Sequence, residues 1–74
     1  MGENFIIYPN PANDNIYISA ENVRKVEIYN IMGDIVATYD NSKIVNIAAL
    51  PVGSYVIRVL TNSGVVTEKI NIIR

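Results

Sequence analysis

The side chains able to do chemistry in this chain are few and scattered. The acids are Glu3, Asp14, Glu21, Glu27, Asp34, Asp40 and Glu68, and there is no His or Cys. Imidazole bases, thiolate nucleophiles, disulfides and the common zinc sites are therefore all excluded. Ser54 follows Gly53, but no His or suitably placed Lys stands near it in sequence to activate a hydroxyl. Asp14 and Asp34, with Asn13, Asn15 and Asn30, carry oxygens of the kind calcium takes. They lack the spacing of a D-x-D loop, so turn capping is their expected role. The acids sit in predicted turns or at outward strand positions, apart from Glu68, which shares the parity of Ile70 and Ile72. Near a strand end, Glu68 is expected to be exposed at the sheet margin rather than to serve as a buried acid. No catalytic, cofactor-binding or metal site is expected.

The tyrosines Tyr8, Tyr17, Tyr29, Tyr39 and Tyr55 are the other residues with a functional option. Outward rings could stack on a sugar or a partner, but tyrosine is also a strand former with an apolar body and a wet tip. The structural role is the expectation, with Tyr55 in the core.

Those residues need a scaffold, and composition limits which one. Seventy-four residues make one domain at most. A chain so short buries only about 60% of its unfolded surface. Half of it is apolar, mostly aliphatic, and the net charge of −1 comes without a basic run. A nucleic-acid surface is not expected, and no apolar stretch approaches the ~20 residues that span a bilayer. Met1-Gly2 reads as an expression start, with residues 1–4 a leading segment and 5–74 the domain. Residues 1–4 lack the pattern of a secretory signal.

The pattern is that of short strands between turns. Phe5 to Tyr8 is a brief edge strand stopped by Pro9-Asn10-Pro11, since proline cannot donate to a ladder. Ile16 and Ile18 face inward on the next strand, and residues 20–23 link it to Arg24–Asn30, with Val26 and Ile28 inward. In Asn30-Ile31-Met32-Gly33 the Asn side chain can accept backbone N–H groups, and Gly can take the left-handed position of a bulged hairpin. Asp34 to Tyr39 returns as its partner with Val36 inward. Val45 and Ile47 then point inward, and Leu50 adds an apolar anchor. Pro51 suits position i+1 of a β-turn that Gly53 closes. Tyr55, Ile57 and Val59 alternate inward, with Arg58 on the wetter face. Gly64 closes a last hairpin, and Val66, Ile70 and Ile72 face in on the final strand. About seven short strands with frequent turns predict an all-β, two-sheet antiparallel sandwich, with a small barrel as the alternative.

The order of these features resembles one family. Tyr8-Pro9-Asn10-Pro11, the alternating Ile16 and Ile18, and Val26 through Asn30-Ile31-Met32-Gly33 come first. Val45-Asn46-Ile47 then leads to Leu50-Pro51-Val52-Gly53-Ser54-Tyr55, and Gly64 and Lys69 precede an apolar end at Arg74. This is similar to the type A C-terminal sorting domain of the type IX (Por) secretion system of Bacteroidetes, over about Tyr8 to Arg74. The resemblance implies an immunoglobulin-like sandwich of seven strands, non-catalytic, fused behind an N-terminal cargo. It implies transit of the periplasm and recognition by an outer-membrane translocon, a shuttle and a sortase-like peptidase. The peptidase typically removes the domain as the cargo reaches the cell surface or the medium, and the cleavage site is expected before or near Phe5.

The matching positions are Pro9, Asn10, Pro11, Asn30, Gly33, Leu50, Gly53, Tyr55, Gly64 and Lys69, and most have a complete explanation in folding. Two departures are Asn46 and Ala48, where the family often has Asp and Ser or Thr. Lys69 and Arg74, charged and near the end, are the expected recognition residues. The rival expectations are a β-sandwich glycan- or protein-binding module of an adhesin or surface enzyme, and self-association through an exposed edge strand.

Overall fold

Every stretch of alternating aliphatic residues folds as a strand. The computed structural model describes residues 6–9 and 11–73, so the readings made for residues 1–5, Asn10 and Arg74 lie outside the described residues. The strands are β1 (Ile7–Tyr8), β2 (Asn15–Ile18), β3 (Val23–Tyr29), β4 (Ile35–Asp40), β5 (Ile44–Asn46), β6 (Gly53–Thr61) and β7 (Gly64–Ile72). They form a three-stranded sheet, β1-β2-β5, and a four-stranded sheet, β4-β3-β6-β7, with all neighbours antiparallel. This is the immunoglobulin-like sandwich expected, with the fourth strand beside the third instead of beside the fifth as in constant-type domains.

The inward set matches the alternation. Ile16, Ile18, Val26, Ile28, Val45, Ile47, Tyr55, Ile57, Val59, Ile70 and Ile72 are buried, with Leu50 packed against them. Ile7, Ala12, Ala20 and Val23 join this core. Among the described residues no polar or charged residue is buried, so the core is held by aliphatic packing and area removed from water.

Three expectations change. Val36 does not point inward; Ala37 and Tyr39 pack against the core instead. Ala37 lies opposite Ile28 and Tyr39 opposite Val26, and residues directly opposite share a face. A bulge beside Ile28 and Tyr29 shifts the parity, leaving Ile35 and Val36 exposed. Val23, read as part of a link, opens β3 and is buried, because a second irregularity between Val23 and Lys25 turns both Val23 and Val26 inward. Before β6 the turn comes early. Asn46 Oδ1 accepts the Ala48 amide (2.9 Å), and the Leu50 amide then donates to the Ile47 carbonyl (3.0 Å) ahead of Pro51.

The chain also switches sheets between β1 and β2. After Pro9 it leaves the small sheet, and Ala12 forms a parallel bridge to Ile72. The Ala12 amide donates to the Asn71 carbonyl (2.9 Å), and the Ile73 amide donates to the Ala12 carbonyl (2.8 Å). One end of the sandwich thus gathers this crossing, the β3–β4 and β5–β6 turns and the close of β7. The other end holds the β2–β3, β4–β5 and β6–β7 turns.

Candidate functional site

The first of these ends collects most of the residues singled out from the sequence. Its β3–β4 turn is locked by Asn30. The Asn30 amide donates to the Asp34 carbonyl (2.9 Å), and its own carbonyl accepts from the Gly33 amide (3.0 Å). Its side-chain Oδ1 accepts the amides of Met32 (2.9 Å) and Asp34 (3.0 Å). Gly33 has φ of 92°, a left-handed value that a Cβ would strain. One side chain therefore satisfies two loop amides, and the backbone has little choice of path. The consequence is that Ile31 and Met32 stand 82% and 81% exposed.

The β5–β6 connection is fixed from the opposite side of the same end. Tyr55 lies in the core at the start of β6, and its hydroxyl donates back to the Pro51 carbonyl at 2.7 Å. This is the tyrosine corner of immunoglobulin-like folds, which ties a connecting loop to the first turn of the following strand. It accounts for the spacing of Pro51, Gly53 and Tyr55 without any ligand. Val52, between them, is exposed. Asn30, Ile31, Val52, Gly53, Ser54 and Tyr55 together line a shallow groove of about 320 Å³.

The close of β7 forms the third side. Gly53 pairs with Ile72 and Ser54 with Asn71, where Ser54 Oγ donates to Asn71 Oδ1 (2.9 Å). Lys69, exposed, is opposite Val56, which in turn pairs with Tyr29. Ile73 adds another exposed apolar side chain. Pro9 and Pro11 are exposed where the chain crosses sheets at this end. Among the predicted positions, Pro9, Pro11, Asn30, Gly33, Leu50, Gly53, Tyr55 and Lys69 are thus brought together. Gly64 is not: it closes the β6–β7 hairpin at the opposite end, opposite Thr61.

Sequence reasoning missed Ile31, Met32 and Val52 as exposed apolar side chains at this end. The signal was present. Ile31 and Met32 are apolar residues at the centre of an N-x-x-G turn, where polar ones normally stand.

The polar residues elsewhere are accounted for locally. Glu68 is exposed, as expected of a strand margin. On the outer face of the larger sheet the Tyr29 hydroxyl donates to Glu27 Oε1 (2.9 Å), and Arg58 reaches both at 3.4 Å. The Tyr29 hydroxyl, and secondarily Glu27, raise the Arg58 pKa. Tyr39 donates to the Asn46 carbonyl (2.6 Å) across the side of the sandwich, and burial raises its pKa above 10.0. Tyr8 and Tyr17 face each other on the small sheet, with ring centroids 5.6 Å apart. The tyrosines are therefore divided among faces and build no single stacking platform. No cluster of three or more metal-ligating side chains occurs among the described residues. What this end offers chemically is an apolar contact surface on a rigid frame.

Comparison with protein families is decisive. The family model of the secretion system C-terminal sorting domain matches residues 6–73. The chain belongs to this family. The sorting domain is a C-terminal signal for secretion, and here it is that of the type IX system, directing export to the cell surface or medium. Comparison with curated proteins gives no match. No helix among the described residues is long and apolar enough to cross a membrane. The sorting domain thus works with the secretion system as an all-β export signal.

Proposed function

We propose that the chain is a non-catalytic handle by which the type IX machinery grips a fused N-terminal cargo, and that the grip falls on the end of the sandwich built around Asn30 and Tyr55. One observation carries this reading. Residues that the fold needs for its turns lie together with Ile31, Met32 and Val52, which it leaves in water. Scattered exposed apolar residues are normal, but a cluster on a locked backbone is the mark of a contact site. Lys69, exposed on the last strand, supplies positive charge on the same side, and Arg74 is kept as a recognition residue from the sequence alone. In this reading the domain crosses the periplasm with its cargo, meets a shuttle and an outer-membrane translocon, and is removed by a sortase-like peptidase near Phe5.

The test is a fluorescent reporter with an N-terminal signal peptide, fused to this domain and expressed in a bacterium with a type IX system. Cutting away the last residues would also remove the buried Ile70 and Ile72, so substitution separates recognition from folding. Ile31→Ser/Met32→Ser/Val52→Ser is expected to strand the reporter in the periplasm, and Lys69→Ala to reduce delivery by less. Normal surface delivery of the triple variant would overturn the assignment to this end.

A further inference from the structure

A sandwich of two open sheets has four edges, and this one treats them unequally. β1 is two residues long and ends at Pro9, which has no N–H to offer. On β5 the Ile44 amide donates to Ser42 Oγ (3.3 Å), and the Ser42 hydroxyl donates to the Ile44 carbonyl (2.6 Å). The Asn46 carbonyl is taken by Tyr39. β7 is crossed by Ala12 at its close and carries Glu68 at an inner-face position, a device that discourages strand addition.

β4 has no such protection among the described residues. The Asn41 amide donates to the Arg24 carbonyl (3.0 Å), which sets the phase of the β3–β4 ladder. By antiparallel alternation the pairs Val26–Tyr39 and Ile28–Ala37 exchange the hydrogen bonds, and Thr38 and Asp40 direct their N–H and C=O groups away from β3. No hydrogen bond from a described residue reaches those groups. The run Ile35-Val36-Ala37-Thr38-Tyr39 contains no charge, proline or glycine, and Ile35 and Val36 are exposed. These are the properties of an edge that accepts another strand.

Charge selects the occupant. The run is bounded by Asp34 and Asp40, so two copies paired antiparallel about Ala37 would set Asp34 of each against Asp40 of the other. Like charges directly opposite are destabilising. Asp40 already has Lys25 opposite it on β3. A cation on an added strand would continue the alternation of sign across the sheet. We propose that the outer edge of β4 docks an extended segment of a partner protein with a β-branched centre and Lys or Arg at its ends. The inference stands apart from the sorting reading, since it can be read on the isolated chain.

The experiment titrates the whole chain with two synthetic heptapeptides, Lys-Thr-Val-Thr-Val-Thr-Lys and the same sequence with Glu at both ends, following backbone amides by NMR and hydrogen exchange. The basic peptide is expected to shift and protect Thr38 and Asp40, and to bind at least tenfold more tightly than the acidic one. Thr38→Pro removes only an edge-facing N–H, a place where proline is tolerated, and is expected to abolish binding. Should that variant fail to fold, Asp34→Lys/Asp40→Lys, which changes exposed charges alone, is expected to reverse the peptide preference. Equal affinity for both peptides, protection on β7 instead of β4, or dimerisation through β4 seen by light scattering would each overturn the proposal.

Discussion

The two ends of this sandwich solve the same folding problem with opposite chemistry. Both must turn the chain three times or more, and both use Asn and Gly to do it. At the end that holds the β2–β3, β4–β5 and β6–β7 turns, the turn devices are polar. Asn22 and Asn41 take left-handed backbone values of 57° and 51°, and Arg24 donates to Asn62 Oδ1 (3.0 Å). A shallow hollow of about 160 Å³ there is lined by Asn22, Val23, Arg24, Asn41 and Asn62. At the other end, turns just as tightly held lift Ile31, Met32 and Val52 into water. Polar pairing explains the turns of the first end, although Ile44 and Val65, which flank two of them, are exposed as well. Folding accounts for the framework of the second, and its exposed apolar remainder is what the proposed recognition would use.

The core tests whether both ends rest on one foundation. Ile57 is fully buried at the centre of β6, paired with Ile28 on one side and Glu68 on the other. Ile57→Ala is expected to destabilise by about 2–5 kcal/mol, lowering both ends together in denaturant unfolding. In a domain of this size that is a large share of total stability. Survival of native amide dispersion around Asn62 while the region of Asn30 melts would show that the ends unfold separately.

Two asparagines, one at each end, hold very different partners. Asn30 Oδ1 accepts two backbone amides, whereas Asn62 accepts only an exposed guanidinium N–H. Asn30→Ala is therefore expected to cost about 1–2 kcal/mol, and Asn62→Ala less than about 0.5 kcal/mol. Equal effects would mean that the β3–β4 turn is held by something other than its cap. Tyr55→Phe falls between them, at about 1 kcal/mol, because it leaves the Pro51 carbonyl without the hydroxyl that reaches it.

Much of this arrangement was legible in the residues. Wherever aliphatic and polar residues alternate cleanly, as in Ile16–Ile18, Val26–Ile28 or Tyr55–Val59, the inward set follows directly. Gly33 announces its turn because few other residues accept its φ. The failures occur where alternation is interrupted or absent. In Ile35-Val36-Ala37-Thr38-Tyr39 nearly every position is moderately apolar, so a one-residue bulge decides the face, and the bulge depends on pairing with β3. Val23 was lost in the same way. Ala12 bridges to Ile72, sixty positions on, and nothing local encodes so distant a partner. The end proposed for recognition was half visible: its framework appeared as motif residues, but the exposed Ile31, Met32 and Val52 looked like ordinary turn filler.

Tyr39 gives a smaller effect, placed on the side of the sandwich between the two ends. Burial raises its pKa above 10.0, so the folded state favours the neutral phenol that donates to Asn46. The contribution is fully present below the unfolded pKa and is lost as pH rises through the folded one. Stability measured by denaturant titration is expected to fall from about pH 10 upward, and Tyr39→Phe to remove that share of the slope. An unchanged alkaline slope in the variant would remove Tyr39 as its source.

The smallest expected change in stability belongs to the residues with the largest expected change in function. Ile31 and Met32 project from a turn whose hydrogen bonds run through Asn30 and the backbone, none of them through the two side chains themselves. Replacing both with Ser removes little buried area, so unfolding should shift by no more than about 0.5 kcal/mol. Export of the reporter should nevertheless drop, and adding Val52→Ser should deepen the loss, while Asn62→Ala at the opposite end leaves delivery intact. The opposite pattern, a marked loss of stability with normal export, would make the apolar tip a part of the core after all. Export in this family would then have to be read from the last strand and its charges alone.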